Sequence, residues 1–457
     1  MKLSIIILAA GDGKRMRSNL PKVLHQLAGK PLLQHVIDVA KQLKPHNIYV
    51  VYGEKDGEQV MQQIADTSIT WIKQAQPLGT GHAVLQVLPF LKADHRVLIL
   101  YGDVPLIAVQ TLEKLIQSTP ANNIGWLTMQ VNNPIGLGRI IRDADGNPQA
   151  IIEERDANTA QKKIKEIFTG ICLMPVKYLE KWLAKLSNKN AQGEYYLTEI
   201  FAHAIDNGIK ITTNHPVAEK EILGVNSKDQ LAKLERIWQL DNANQCMLDG
   251  LTLCDPSRFD VRGTLKFGQD VICDVNVIIE GNVVIGNNCY IGPNVYLRNV
   301  TIADDVKIFA NTVIDRAEIE ERCLIGPFSR IRPETVLHSC AKIGNFVEIK
   351  KSNIGSGSKV NHLSYVGDTV MGAHVNVGAG TITCNYDGVH KYKTTIEDNV
   401  FIGSSTQLVA PLTVGHDATI GAGSTITQDV PSDHLTLART KQVTIEGWQK
   451  PSKKESE

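Results

Sequence analysis

Two groups of residues have types and spacings suited to chemistry. The first is Leu8-Ala9-Ala10-Gly11-Asp12-Gly13-Lys14-Arg15-Met16, closed by Leu20-Pro21-Lys22. An apolar run enters a glycine turn loaded with cations, so backbone N–H groups at Gly11 and Gly13 can approach an anion while Arg15 and Lys22 supply charge. That chemistry is phosphate binding. The spacing fits neither the dinucleotide fingerprint nor the Walker loop, and a bare G-x-G equally marks a tight turn with solvated cations. Asp103 follows the run Val97-Leu98-Ile99-Leu100-Tyr101-Gly102. A carboxylate there suits a hard cation such as Mg²⁺, which takes one or two protein oxygens and completes its shell with water and phosphate. The same position also suits a helix N-cap. The second group is Arg330-Ile331-Arg332-Pro333, Asn345 to Lys351, Lys359 to Tyr365 and the polar stretch Ile382 to Lys391. It brings together cations and one candidate base, His362.

The elements that must position the first group alternate. A strand over Lys2 to Ala10 precedes Leu33, Val36, Ile37, Ala40 and Leu43 at helical spacing, then strands at Asn47 to Tyr52 and Arg96 to Tyr101. Alternation of this kind predicts a parallel α/β sheet, with ligands beyond the carboxyl ends of the strands, so Gly11 and Asp103 should face one crevice. From about residue 251 the pattern changes. Aliphatic-glycine pairs recur at Ile285-Gly286, Ile291-Gly292, Ile325-Gly326, Ile343-Gly344, Ile402-Gly403 and Ile420-Gly421. Many of the separations are six or its multiples, a period that predicts a β-helix of short strands and turns, interrupted by a loop at 382–391. Ser227 to Leu248 reads as an amphipathic connector, and the tail after Pro451 as disordered.

Composition limits the function. Lys plus Arg equals Asp plus Glu at 48 each in 457 residues, so no global basic field argues for nucleic acid. The run at Ile5 to Ala10 is short for a signal peptide, and nothing longer suggests a membrane span. Eight cysteines without C-x-x-C spacing fit a reducing cytoplasm.

The string L-A-A-G-x-G-x-R-M with L-P-K-x-L resembles the signature of sugar-phosphate nucleotidyltransferases. Asn376-Val377-Gly378-Ala379-Gly380-Thr381-Ile382-Thr383-Cys384-Asn385-Tyr386-Asp387-Gly388, with the strings around Arg332, Lys350 and His362, is similar to the acetyltransferase half of the bifunctional bacterial enzymes of UDP-N-acetylglucosamine synthesis. The resemblance covers nearly the whole chain. It implies a Rossmann-like uridylyltransferase domain at 1–228, a helical linker at 229–250 and a left-handed parallel β-helix N-acetyltransferase domain at 251–457, assembled as a homotrimer with pockets between subunits. The implied chemistry is acetylation of glucosamine-1-phosphate by acetyl-CoA, then attack of N-acetylglucosamine-1-phosphate on the α-phosphorus of UTP, serving cell-wall precursor synthesis.

The resemblance also implies roles. Leu8, Ala9, Ala10, Gly11, Arg15, Lys22, Tyr101 and Gly102 would hold the nucleotide, with Gln74, Gly79 and Thr80 at uracil. Asp103 and Asn226 of Gly224-Val225-Asn226 would hold Mg²⁺, and Gly138, Glu153 and Thr169 would surround the sugar. In the second half Arg332 and Lys350 would grip the sugar phosphate and Tyr365 and Asn376 the sugar. Asn385 and Tyr386 would line that pocket beside acetyl-CoA, which Ala379, Ser404, Ala422 and Arg439 would contact. His362 would be the base, because an ammonium cannot attack a thioester until it loses a proton. His374, His390 and His416 carry no such motif. One departure is Phe168, where the family has an Asn in I-N-T-G; a phenyl ring cannot replace an amide's hydrogen bonds.

Overall fold

The computed structural model describes residues 2–55 and 57–451, so the tail expected after Pro451 lies outside the described residues. The chain divides into two units, Met1–Asp241 and Asn242–Glu457.

The first unit is built on β1 (Lys2–Ala9), α1 (Leu32–Gln42), β2 (Asn47–Gly53), β3 (Ile69–Gln74), α2 (Thr80–Val87), β4 (His95–Tyr101), β5 (Ile124–Gln130), β6 (Gly138–Arg142), β7 (Pro148–Ile152), β8 (Glu166–Pro175), α3 (Glu199–Asp206) and β9 (Ile211–Asn214). The main sheet runs β9-β5-β8-β4-β1-β2-β3, with β6 and β7 forming a hairpin off β8. Strand β1 is buried on both faces, as a central parallel strand must be. Its successive side chains alternate: Ile5 and Ile7 enter one core with α1, and Ile6 and Leu8 enter the other with α2 and α3. The sheet departs from the expected all-parallel arrangement at one strand. Strand β8 runs antiparallel to both β4 and β5, while β1 pairs in parallel with β2 and β4. Strand β8 follows the β6–β7 hairpin rather than a crossover helix, so it enters the sheet from the opposite end.

In the second unit, strands of mostly two to four residues stack in parallel into one sheet of 11 strands and one of 17. Lys307 pairs with Leu324, and Leu324 with Lys342, so one coil takes 17 or 18 residues, three hexapeptides. Each coil places an aliphatic side chain on the next: Ile291, Ile308, Ile325 and Ile343 are all buried in one continuous core. Polar Asn at the corners explains much of the turn chemistry. Asn294 and Asn311 adopt left-handed backbone at φ 59° and 60°, a conformation Asn tolerates better than most residues. Asn376 pairs with Phe401, a step of 25 residues, because the expected loop interrupts that coil.

A helix, α4 (Lys228–Leu248), occupies the expected connector. Its Leu234 packs with Met16, Leu27, Leu32 and Val225 in the first unit, and Ala243 and Cys246 belong to the core of the second.

Candidate active sites

The carboxyl ends of β1 and β4 open on a cleft of about 640 Å³. Leu8, Ala9, Ala10, Gly11, Arg15, Lys22, Gln74, Gly79, Thr80, Tyr101, Asp103 and Asn226 all line it, with Glu194. The turn after β1 needs its second glycine: Gly13 has φ 58°, and a Cβ there would fall 2.8 Å from the Lys22 Cβ. The lysine stem therefore passes close against the turn. Its Nζ donates to Asp103 Oδ2 at 2.5 Å and to Asn226 Oδ1 at 3.3 Å. Backbone bonds bring these acceptors together, Gly102 N to Leu8 O at 2.9 Å and Val225 N to Asp103 O at 2.9 Å. The result is a pair of hard oxygens already sharing one cation, a donor set that fits a divalent ion completed by phosphate oxygens.

Other expected residues are placed differently. Gly102 is buried off the cleft wall, where a Cβ would meet Leu33 Cδ1 at 3.1 Å. Gly138 and Glu153 do not line the cleft but meet each other beside the β6–β7 hairpin, where a Gly138 Cβ would lie 3.6 Å from Glu153 Oε2. Burial raises the Glu153 carboxyl above its ordinary range, and a hydrogen bond from Thr198 opposes that rise. Thr169 spends its hydroxyl on Leu127 O at 2.8 Å. Phe168 packs in the core against Trp126 and Phe201, with ring centroids 5.9 and 5.6 Å away. Tyr101, which does line the cleft, also packs against Gly170, and burial pushes its hydroxyl up in pKa.

In the β-helix, Asn345 and His362 are neighbours on successive coils, and His362 Nδ1 lies 3.1 Å from Asn345 Oδ1. His362 is exposed. Asn345 opens one of the strings noted in the sequence but had no role there, although the coil length places residue 345 one turn below 362. Nearby, Asp368 is a hub: Lys350 Nζ donates to it at 3.2 Å, and the buried Asn385 amide donates to the same carboxylate. Asn385 also reaches the Tyr365 hydroxyl at 3.5 Å. Lys391 stands beside Lys350, and this neighbouring ammonium group lowers the Lys391 pKa although the Asp368 charge opposes the shift. Arg332 pairs with Glu348 at 2.8 Å. Asn376 lies on the stack between Lys359 and Phe401.

The residues expected at acetyl-CoA continue the column of Asn345 and His362, since Leu363 N donates to Asn345 O at 3.2 Å and Gly380 N to His362 O at 3.3 Å. Ser405 N donates to Ala379 O at 2.7 Å, Gly423 N to Ser404 O at 2.8 Å, and Arg439 Nη1 to Ala422 O at 2.7 Å. Ser404, Ala422 and Arg439 are exposed, and so is Tyr386, whose hydroxyl turns back onto Gly388 O.

A nucleotide-type cleft on an α/β sheet, followed by a hexapeptide β-helix, defines a two-part transferase. Residues 5–166 match the MobA-like NTP transferase domain, 261–339 the GMPPB C-terminal domain, and 393–428 the bacterial transferase hexapeptide family with six repeats. Bifunctional protein GlmU of Nitrosomonas europaea is 56% identical over 455 residues, covering 99% of each chain. Those of Nitrosospira multiformis and Nitrosomonas eutropha are each 54% identical over 99% of this chain and 98% and 99% of their own. The chain belongs to the family of bifunctional GlmU proteins. Among the described residues no helix is long and apolar enough to cross a membrane.

Proposed function

We propose that the cleft between β1 and β4 transfers the uridylyl group of UTP to N-acetylglucosamine-1-phosphate, and that the surface around His362 first acetylates glucosamine-1-phosphate from acetyl-CoA. Membership of a bifunctional transferase family, with an NTP transferase domain and hexapeptide repeats, supports both activities. The observation that carries the residue assignment is the Lys22, Asp103 and Asn226 cluster at the mouth of the glycine turn.

In uridylyl transfer a sugar-phosphate oxygen attacks the α-phosphorus of UTP in line and pyrophosphate leaves. The protein aligns and neutralises rather than forming covalent bonds. Arg15 and the turn's N–H groups face the phosphates, and Lys22 carries its charge to the same place. Gln74 commits its Nε2 to Gly79 O and His82 Nδ1, which leaves its amide oxygen for an N–H of the base. Mg²⁺ held by Asp103 and Asn226 would neutralise charge developing on the phosphates.

In acetyl transfer the sugar amine must lose a proton as its nitrogen bonds to the thioester carbon. Expulsion of the CoA sulfur then completes the transfer. With Asn345 Oδ1 accepting from Nδ1–H, the His362 lone pair sits on Nε2, which takes the amine proton. Lys350, Lys391 and Arg332 supply the charge for the sugar phosphate. The exposure of His362, Tyr386 and Ser404 supports a homotrimer in which a second copy covers this surface. All eight cysteines are free, in keeping with work in the cytoplasm.

Incubating the protein with glucosamine-1-phosphate, acetyl-CoA, UTP and Mg²⁺ tests the reading. UDP-N-acetylglucosamine should form, and release of CoA thiol without pyrophosphate, or the reverse, would remove one of the two activities.

A further inference from the structure

The stretch Tyr195–Thr198 lies between two parts of the nucleotidyl site that are far apart in sequence. On one side it is laced to the loop before α2. Tyr195 N donates to Leu78 O and Gly81 N to Tyr195 O, both at 2.8 Å, and Leu197 N donates to Thr80 Oγ1 at 3.1 Å. A Cβ on Gly79 would stand 2.7 Å from Tyr195 O, so the two backbones touch. On the other side Thr198 Oγ1 donates to Glu153 Oε1 at 3.1 Å. The segment thus joins the cleft wall at Gly79 and Thr80 to a carboxylate 45 residues away from Thr198 in sequence.

Glu153 has no cationic partner among the described residues; its neighbour Glu154 takes Arg139 instead. Among the described residues its hydrogen bond from Thr198 is the one side-chain donor it has. A half-buried carboxylate with a single donor keeps most of its acceptor sites free, which suits the hydroxyl groups of a sugar. We propose that Thr198 is a positioning residue for uridylyl transfer: anchored to the cleft wall, it orients the Glu153 carboxylate toward sugar hydroxyls. This rests on the reading of Glu153 as a sugar-binding group.

The charge argument has a sign. Burial raises the Glu153 pKa, Asp156 raises it further, and the Thr198 hydrogen bond lowers it. The other titratable groups facing it, Tyr101 and Tyr196, are neutral phenols with raised pKa values. Sugar binding by the carboxylate is therefore present above the Glu153 pKa and lost as pH falls through it. Removing the Thr198 hydroxyl moves that loss to higher pH.

The test uses the full chain with N-acetylglucosamine-1-phosphate, UTP and Mg²⁺, comparing Thr198→Val, Thr198→Ser and Glu153→Gln by steady-state kinetics from pH 5 to 9. Thr198→Val should raise the sugar-phosphate KM about tenfold, the range for a hydrogen bond to a charged group, with kcat and the UTP KM within about twofold of the wild type. The acid limb of kcat/KM for the sugar phosphate should move to higher pH, and Thr198→Ser should restore both. Should Thr198→Val prove unstable to heating, Thr198→Ala carries the same expectation. Wild-type KM and acid limb in Thr198→Val, alongside a raised KM in Glu153→Gln, would overturn the role of Thr198 alone. An unaffected KM in Glu153→Gln would overturn the reading of Glu153. A fall in kcat with no change in sugar KM or pH limb would reduce Thr198 to a structural residue and overturn the proposal.

Discussion

In the N-terminal unit a single crevice gathers the glycine turn, the base-side loop and the two metal-type oxygens, and one lysine ties the last of these together. In the β-helix the corresponding residues Asn345, His362, Ala379, Ser404 and Ala422 follow one another coil by coil along one column of an open surface. The contrast follows from architecture. A doubly wound sheet sends several loops over the same strand ends, so distant residues converge. A β-helix repeats each position along its axis, so neighbours are separated by one coil and a concave site needs an inserted loop or another surface.

This contrast can be broken by substitutions that act in one unit only. Lys22→Met should lower uridylyl transfer on the order of 10²-fold or more, by analogy with loss of one preorganised charge stabiliser, and leave acetyl transfer unchanged. Pyrophosphate release and CoA thiol release in the same preparation read the two. His362→Ala should lower acetyl transfer on the order of 10²-fold, the lower end for a lost general base, while uridylyl transfer from supplied N-acetylglucosamine-1-phosphate continues. Asn345→Leu should cost acetyl transfer about tenfold in kcat, because the ring loses the acceptor that fixes its tautomer but keeps its position on the coil. The smallest functional effect belongs to Phe168→Asn. Restoring the amide should not tighten sugar binding, since this side chain lies in the core with Trp126 and Phe201. It should instead lower the melting temperature of the N-terminal unit by roughly 5–10 °C, as loss of a buried aromatic does.

The glycine turn, its following Lys22 and the six-residue aliphatic period were legible because each is local: the turn needs φ 58° at Gly13, and each coil needs an aliphatic side chain at a fixed step. The antiparallel course of β8 was not, since buried strands have the same residue pattern in either direction. The role of Asn345, a residue noted only as part of a string, and that of Thr198 were missed for a different reason. Both lie in contacts, across 17 and 45 residues, set by the stacking of coils and the lacing of a loop. Gly138 and Glu153, which the resemblance set around the sugar, meet each other beside a hairpin, a contact between distant residues that no local pattern announces. Asp368, which joins Lys350 to Asn385, carried no local signal at all.

The most direct measurement follows both products in one mixture of Asp103→Ala with glucosamine-1-phosphate, acetyl-CoA, UTP and Mg²⁺. Two sites on two units predict that N-acetylglucosamine-1-phosphate accumulates at the wild-type rate while no UDP-N-acetylglucosamine appears. Loss of both products from a protein that melts like the wild type would contradict that separation.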